Sequence, residues 1–211
     1  MSWFKQLFQA NSTTGSAQPQ SIMQVVEDAR ATYQSVLLQL ATDAKQQYSD
    51  VHTEIQIKLN LDDTPMPFQL MRVDALYQDG EKVGTLEANL KAPWKFRTFS
   101  EQWGSLNVTV SPLVWNGLEF KVLGPAINAE VLSTWHHVWY DADDTREADA
   151  SGFHGVVHNV TAPEITTSGW SISVDFGSSD LDAFSALVEK IKESGATDLQ
   201  IGSFSYGPAN S

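Results

Sequence analysis

Hydrophobic and polar positions recur along this chain with two distinct periods. From Ser21, a residue suited to an N-cap, Val26, Ala29, Tyr33, Val36, Leu37, Leu40 and Ala44 return at steps of three and four. That spacing predicts one long amphipathic helix ending near Tyr48. The period then changes to two. Val51, Thr53, Ile55, Ile57, Leu59 and Leu61 alternate with His52, Glu54, Gln56, Lys58 and Asn60, which predicts a strand with one buried and one wet face. The polar, proline-containing run Asp62 to Pro67 ends it.

Two hairpins are expected next. The stretches 68–78 and 81–91 flank Asp79-Gly80, a dipeptide suited to a two-residue turn. Leu106, Val108 and Val110 alternate before Asn116-Gly117, and Leu118, Phe120 and Val122 alternate after it. Gly124-Pro125 then predicts a helix start, with Ile127, Val131, Trp135, Val138 and Trp139 as its apolar stripe. An acidic loop follows over 141–151, and strands are predicted over 153–160 and 170–176. Ser178-Ser179-Asp180 caps a helix with Leu181, Phe184, Leu187, Val188 and Ile191 on one face, closed by Gly195. Leu199 and Ile201 begin a last strand.

The predicted order, α-β-β-β-β-β-α-β-β-α-β, defines an α+β fold. It should be a mixed, mostly antiparallel sheet built from hairpins, with three helices packed mainly on one face and a C-terminal β-α-β unit. Residues 21–206 are expected to form a single domain. Residues 1–20 read as a flexible peptide with an aromatic head (Trp3, Phe4, Leu7, Phe8), and 207–211 as a loose tail.

Composition narrows the class of protein. With 42% hydrophobic and 18% charged residues the chain is globular rather than disordered. No apolar run reaches the roughly 18–20 residues that span a bilayer, and one lysine near the aromatic head is too few for stable membrane anchoring. There is no cysteine and no signal-peptide pattern, which predicts a soluble, cytoplasmic protein. The sequons at Asn11, Asn107 and Asn159 then go unused.

Charge is unevenly distributed. The net charge is −13, of which residues 141–211, with 12 acids and 3 bases, contribute −9. Such a balance opposes nucleic acid, whose binding needs bases to neutralise phosphates. Lys91, Lys95 and Arg97 among Trp94, Phe96, Phe99 and Trp103 form a local basic-aromatic patch. It reads mainly as core filler with cations at its rim.

Catalytic motifs are weak. His136 and His137 precede Asp141, Asp143 and Asp144, but adjacent histidines on a helix diverge by about 100° and no H-E-x-x-H spacing occurs. As a calcium loop the segment has Arg146 in place of the turn glycine and Gly152 in place of the bidentate glutamate. His154 and His158 on one strand face would stand about 13 Å apart, too far to share an ion. Neither a G-x-S-x-G elbow nor a phosphate-binding glycine loop is present.

These observations predict a non-enzymatic acidic protein-interaction module, inhibitor-like or regulatory, without cofactor or metal. Its partner would be a protein with a basic surface. The expected contact residues are Trp139, Tyr140, Asp141, Asp143, Asp144, Glu147, Asp149 and Phe153, aromatic anchors ringed by charge. Two alternatives are a divalent-metal-dependent hydrolase at His137, Asp141 and Asp143, and a small-ligand-binding domain with Trp115 or Trp135 lining its pocket.

Overall fold

A computed structural model describes residues 21–61, 64–66, 68–90, 93 and 96–203. The aromatic head, the 207–211 tail, and Lys91, Trp94 and Lys95 of the basic-aromatic patch lie outside these residues.

Helix α1 runs Ile22–Gln47, with Ser21 Oγ accepting from Gln24 N as its N-cap. At 1.5 Å per residue it is about 39 Å long, enough to cross two sheets. Its buried stripe is Ile22, Val25, Val26, Ala29, Tyr33, Leu37, Ala41 and Ala44. Val36 and Leu40, expected within that stripe, are only half-buried.

The smaller sheet is antiparallel, in the order β1-β2-β3, from β1 (Asp50–Lys58), β2 (Leu70–Asp79) and β3 (Lys82–Leu86). The turn sits one residue later than the dipeptide suggests. Asp79 pairs with Lys82, leaving Gly80 and Glu81 as the central residues, and Gly80 takes φ +61. The first arm, β2, runs through Asp79, one residue past its expected end, whereas the second stops early: β3 spans only five residues and ends at Leu86.

The larger sheet contains β4 (Phe99–Trp103), β5 (Leu106–Val110), β6 (Leu118–Leu123), β7 (Asn159–Val160), β8 (Glu164–Ile165), β9 (Gly169–Asp175) and β10 (Asp198–Ser203). Its order is β4-β5-β10-β6-β9-β7, with β8 also on β9. The expected hairpin at Asn116-Gly117 does not form, because β10 inserts between its two arms, parallel to β5 and antiparallel to β6. Trp115–Gly117 instead makes a 3-10 turn, which follows Val114, whose N–H donates to Ser203 Oγ at the end of β10. Period two identifies a strand but is silent on its neighbours.

Helix α2 (Ala129–Tyr140) starts four residues after Pro125, because Asn128 caps it by accepting from Glu130 N. Pro125 serves the preceding loop, its carbonyl accepting from Trp170 Nε1 at 3.0 Å. Helix α3 (Leu181–Glu193) begins as predicted, with Asp180 accepting from Asp182 N and Ala183 N. Gly195 follows at φ +86. Strands β9 and β10 flank α3 and are both antiparallel to the intervening β6, so they run parallel as a C-terminal β-α-β unit.

The larger sheet buries one face. Leu106, Val108, Leu118, Phe120, Trp170, Ile172, Leu199 and Ile201 point into the core, while Lys121 and Gln200 on the other face are exposed. Phe184 of α3 packs on Phe120 and Phe176, and Trp135 of α2 meets Phe176 edge-on. The fold is thus α+β. Among the described residues no helix is long and apolar enough to cross a membrane.

The two sheets meet at one seam, where Arg72 N of β2 donates to His158 O beside β7 at 2.8 Å.

Candidate functional site

The seam gathers ionisable groups that the strand pattern alone scatters. In the β1–β2 register Thr53 pairs with Ala75 and Ile55 with Val73, so Glu54 and Asp74 stand opposite one another. Like charges placed this way repel. Here the imidazole of His158 joins them, with Nε2 at 2.7 Å from Glu54 Oε1 and Nδ1 at 3.0 Å from Asp74 Oδ1. Glu54 and His158 are each 1% exposed and Asp74 is 7% exposed.

Further donors complete the cluster. Tyr33 OH of α1 donates to Asp74 Oδ1 at 2.7 Å, and Ala88 N donates to Asp74 Oδ2 at 2.6 Å. His154 N donates to Glu54 Oε2, and the Ser178 hydroxyl also bonds Glu54. Two backbone features mark the place as shaped for this purpose. Glu54 occupies the left-handed region at φ +53, a costly conformation for a residue with a side chain. Gly177, at φ +50, lies against the ring so closely that a Cβ there would sit 2.1 Å from His158 Cδ2.

The resulting proton affinities follow from the contacts. Burial disfavours charge on His158, but the bonds to Asp74 and Glu54 overcome it and raise its pKa to about 10. Burial likewise opposes ionisation of Glu54 and Asp74, and bonds from His158 hold both below the usual carboxylate range. Asp175, at the end of β9, is pushed up to about 7 by burial, against the pull of His158, with Asp74 adding to the rise. Part of Asp175 still touches solvent, which weakens the burial effect without reversing it. With each ring nitrogen held by a buried carboxylate, the imidazole offers no free nitrogen to an incoming group. This cluster is a charge clamp between sheets.

The acidic loop is built onto the same seam through Arg72, whose side chain is 1% exposed. Its guanidinium donates to the Tyr140, Glu54 and Asp141 carbonyls at 3.2, 2.8 and 3.0 Å and to Asp144 Oδ1 at 2.9 Å. It also lies 5.1 Å from the centre of the Tyr140 ring.

This anchoring divides the eight residues expected to contact a partner. Tyr140 is fully buried and Asp141 is 7% exposed. Asp141 takes φ +55 after α2, and its carboxylate accepts from Thr145 Oγ1 and Arg146 N, both at 2.8 Å. Both residues therefore serve the fold. Asp144 is exposed but committed to Arg72. Asp143, Glu147 and Asp149 are exposed, and Trp139 and Phe153 are half-buried.

The hydrolase constellation does not assemble. His137 Nε2 lies 3.5 Å from Asp143 Oδ2, but both oxygens of Asp141 already accept bonds within the loop. His136 turns into the core and stacks on Tyr140 at 4.6 Å. Among the described residues no group of three or more His, Asp or Glu is placed to hold a metal ion. Trp115 and Trp135, expected to line a ligand pocket, are both buried. Each is core, donating Nε1 to Gly177 O and Ala183 O. Phe96, Phe99 and Trp103 of the basic-aromatic segment also pack against the core.

A groove of about 320 Å³ runs between α1 and the acidic loop. Leu37 and Leu38 line one side, Asp149 and Phe153 another, with Ser178 and Asp180 from the turn before α3.

No protein-family model, curated protein or solved structure matches this chain.

Of the strand expected over 153–160, only Asn159–Val160 forms one; 153–158 is irregular, with Gly155 at φ +68. Val156 N bonds Ser178 Oγ, Val157 N bonds Trp139 O and His158 N bonds Asp175 O. Its backbone is shared among three elements, and that irregularity brings His154 and His158 to one glutamate. Glu54 is hidden by the alternation, which assigns it to the wet face. Another signal is present: Asp74 within Val73-Asp74-Ala75-Leu76, and Asp175 between Val174 and Phe176. A charge inside an apolar run implies a buried partner.

Proposed function

We propose that this chain is a non-enzymatic, acidic protein-interaction module that binds a protein with a basic surface. The observation that carries this reading is the acidic loop. Asp143, Glu147 and Asp149 are exposed in the segment that runs from half-buried Trp139 to half-buried Phe153, and the start of that segment is fastened by the buried Arg72. A fixed loop loses little freedom on binding, so its charges can favour association instead of being spent on ordering. The excess of acids over bases, 26 against 13, steers basic partners towards it. Absence of cysteine fits a reducing, cytoplasmic setting.

The test separates recognition from folding. Asp141 and Asp144 hold the loop, so neutralising them would confuse the two; D143N/E147Q alters only exposed charge. Wild type and D143N/E147Q would be used as baits in host lysate at low and moderate salt, and affinities of captured proteins measured by calorimetry. The expected outcome is a basic partner bound more weakly by the variant, with a flatter salt dependence. Equal affinity and equal salt dependence would refute the electrostatic reading.

A further inference from the structure

The groove beside α1 shares Asp149 and Phe153 with the acidic loop, so an inference about it rests on the reading above. We propose that the groove receives a lysine or arginine side chain from a basic segment of the partner protein.

Its lining matches such a side chain in both parts. Leu38 is 47% exposed, although it belongs to a helix with a well-buried face. Together with Leu37 and half-buried Phe153 it offers an apolar bed for an aliphatic stem. Acceptors for the charged head come from two carboxylates. Asp149 uses Oδ1 for Ser151 N and Phe153 N, and Asp180 uses Oδ1 for Asp182 N and Ala183 N. The second oxygen of Asp149 takes no part in those loop bonds, while Asp180 is shared with Arg30.

Two resident cations temper this charge without cancelling it. Arg30 is held by its Nε to Ser179 O at 2.7 Å, with Asp180 and Glu27 close by. Lys45 reaches Ser151 O at 3.4 Å. The wider field of a chain with net charge −13 remains negative and favours a cationic occupant.

The walls are also fixed before any ligand arrives. His154 N and the Ser178 hydroxyl, from the two segments that face α1, both bond the buried Glu54. Val156 N ties those segments together through Ser178 Oγ at 3.1 Å. A preformed groove needs little ordering on binding.

The experiment titrates the full chain by NMR with the Nα-acetyl methylamides of lysine, arginine, norleucine and glutamate. Saturable amide shifts at residues 34–38, 149–155 and 178–180 are expected with lysine and arginine. D149N keeps an oxygen for the loop bonds and removes the charge, so its spectrum should stay folded while lysine binds about fivefold more weakly. No saturable shift with either basic probe would overturn the proposal, as would equal binding of norleucine or glutamate. Shifts confined to Asp143 and Glu147 would overturn the groove while leaving the acidic-loop reading standing. Lost partner capture by D143N/E147Q bears on that reading alone.

Discussion

Replacing His158 by glutamine removes the cation between Glu54 and Asp74 and leaves two buried carboxylates facing each other. The size of the effect can be worked from proton affinity. The rise of His158 from 6.5 to about 10, at about 1.4 kcal/mol for each tenfold change, corresponds to about 5 kcal/mol. Breaking buried ion pairs by removing one partner costs about 3–5 kcal/mol, so the two routes agree. The sign follows from the direction of the shift. A raised histidine stabilises the fold fully below its unfolded value of 6.5 and loses that contribution as pH climbs through about 10. Asp175, raised from 3.8 to about 7, adds a loss over that lower interval. Glu54 and Asp74, both lowered, stabilise above the ordinary carboxylate range and lose this as pH falls. Urea unfolding followed by tryptophan fluorescence, on wild type and H158Q from pH 5 to 10, measures all of this. H158Q should be less stable by about 3–5 kcal/mol near pH 6, and the gap should close towards pH 10 as wild type deprotonates. A gap below about 1 kcal/mol at pH 6, or one that stays constant with pH, would refute the reasoning.

Two further substitutions probe the same neighbourhood. Gly177→Ala forces a Cβ to within 2.1 Å of His158 Cδ2 at φ +50; a loss of more than about 2 kcal/mol is expected by urea unfolding, with the alkaline limb altered as the ring is displaced. His136 has no hydrogen-bond partner at either ring nitrogen, and burial lowers its pKa to about 4. Its neutral form supports the fold above pH 6.5 and that support fades as pH falls through about 4. His136→Phe keeps the stack on Tyr140, so stability at pH 7 should be unchanged or higher and the acid loss between those values reduced. A clear loss at pH 7 would show that His136 has a polar role.

Local structure was readable where a residue decides it by itself. Ser21 and Asp180 cap their helices, and Gly195 closes α3, because those preferences act within one turn. Pro125 misled, since Asn128 competes for the same role and offers a side-chain acceptor that proline lacks. The failed hairpin at Asn116-Gly117 has a different origin. Strand pairing there is decided by β10, some 80 residues later, and no local pattern encodes that partner. Of the expected contact face, exposure of Asp143, Glu147 and Asp149 follows from their polarity, but the inward turn of Tyr140 and Asp141 depends on Arg72 from β2. The clamp was hidden for the same reason: Tyr33, Glu54, Asp74 and His158 come from four separate segments.

The position of β10 also governs the order in which the chain can fold during synthesis. Strands β5 and β6 are complete by Leu123, yet each lacks its central neighbour until Asp198–Ser203 has left the ribosome. For the whole time that residues 124–197 are being made, two apolar strands keep unpaired edges facing the gap between them. The nascent protein therefore passes through a prolonged interval in which its own sheet is open at the middle. Protection during that interval must come from outside the chain or from speed of completion, and a stalled or truncated product would be aggregation-prone for a reason that no surface residue of the finished fold reveals.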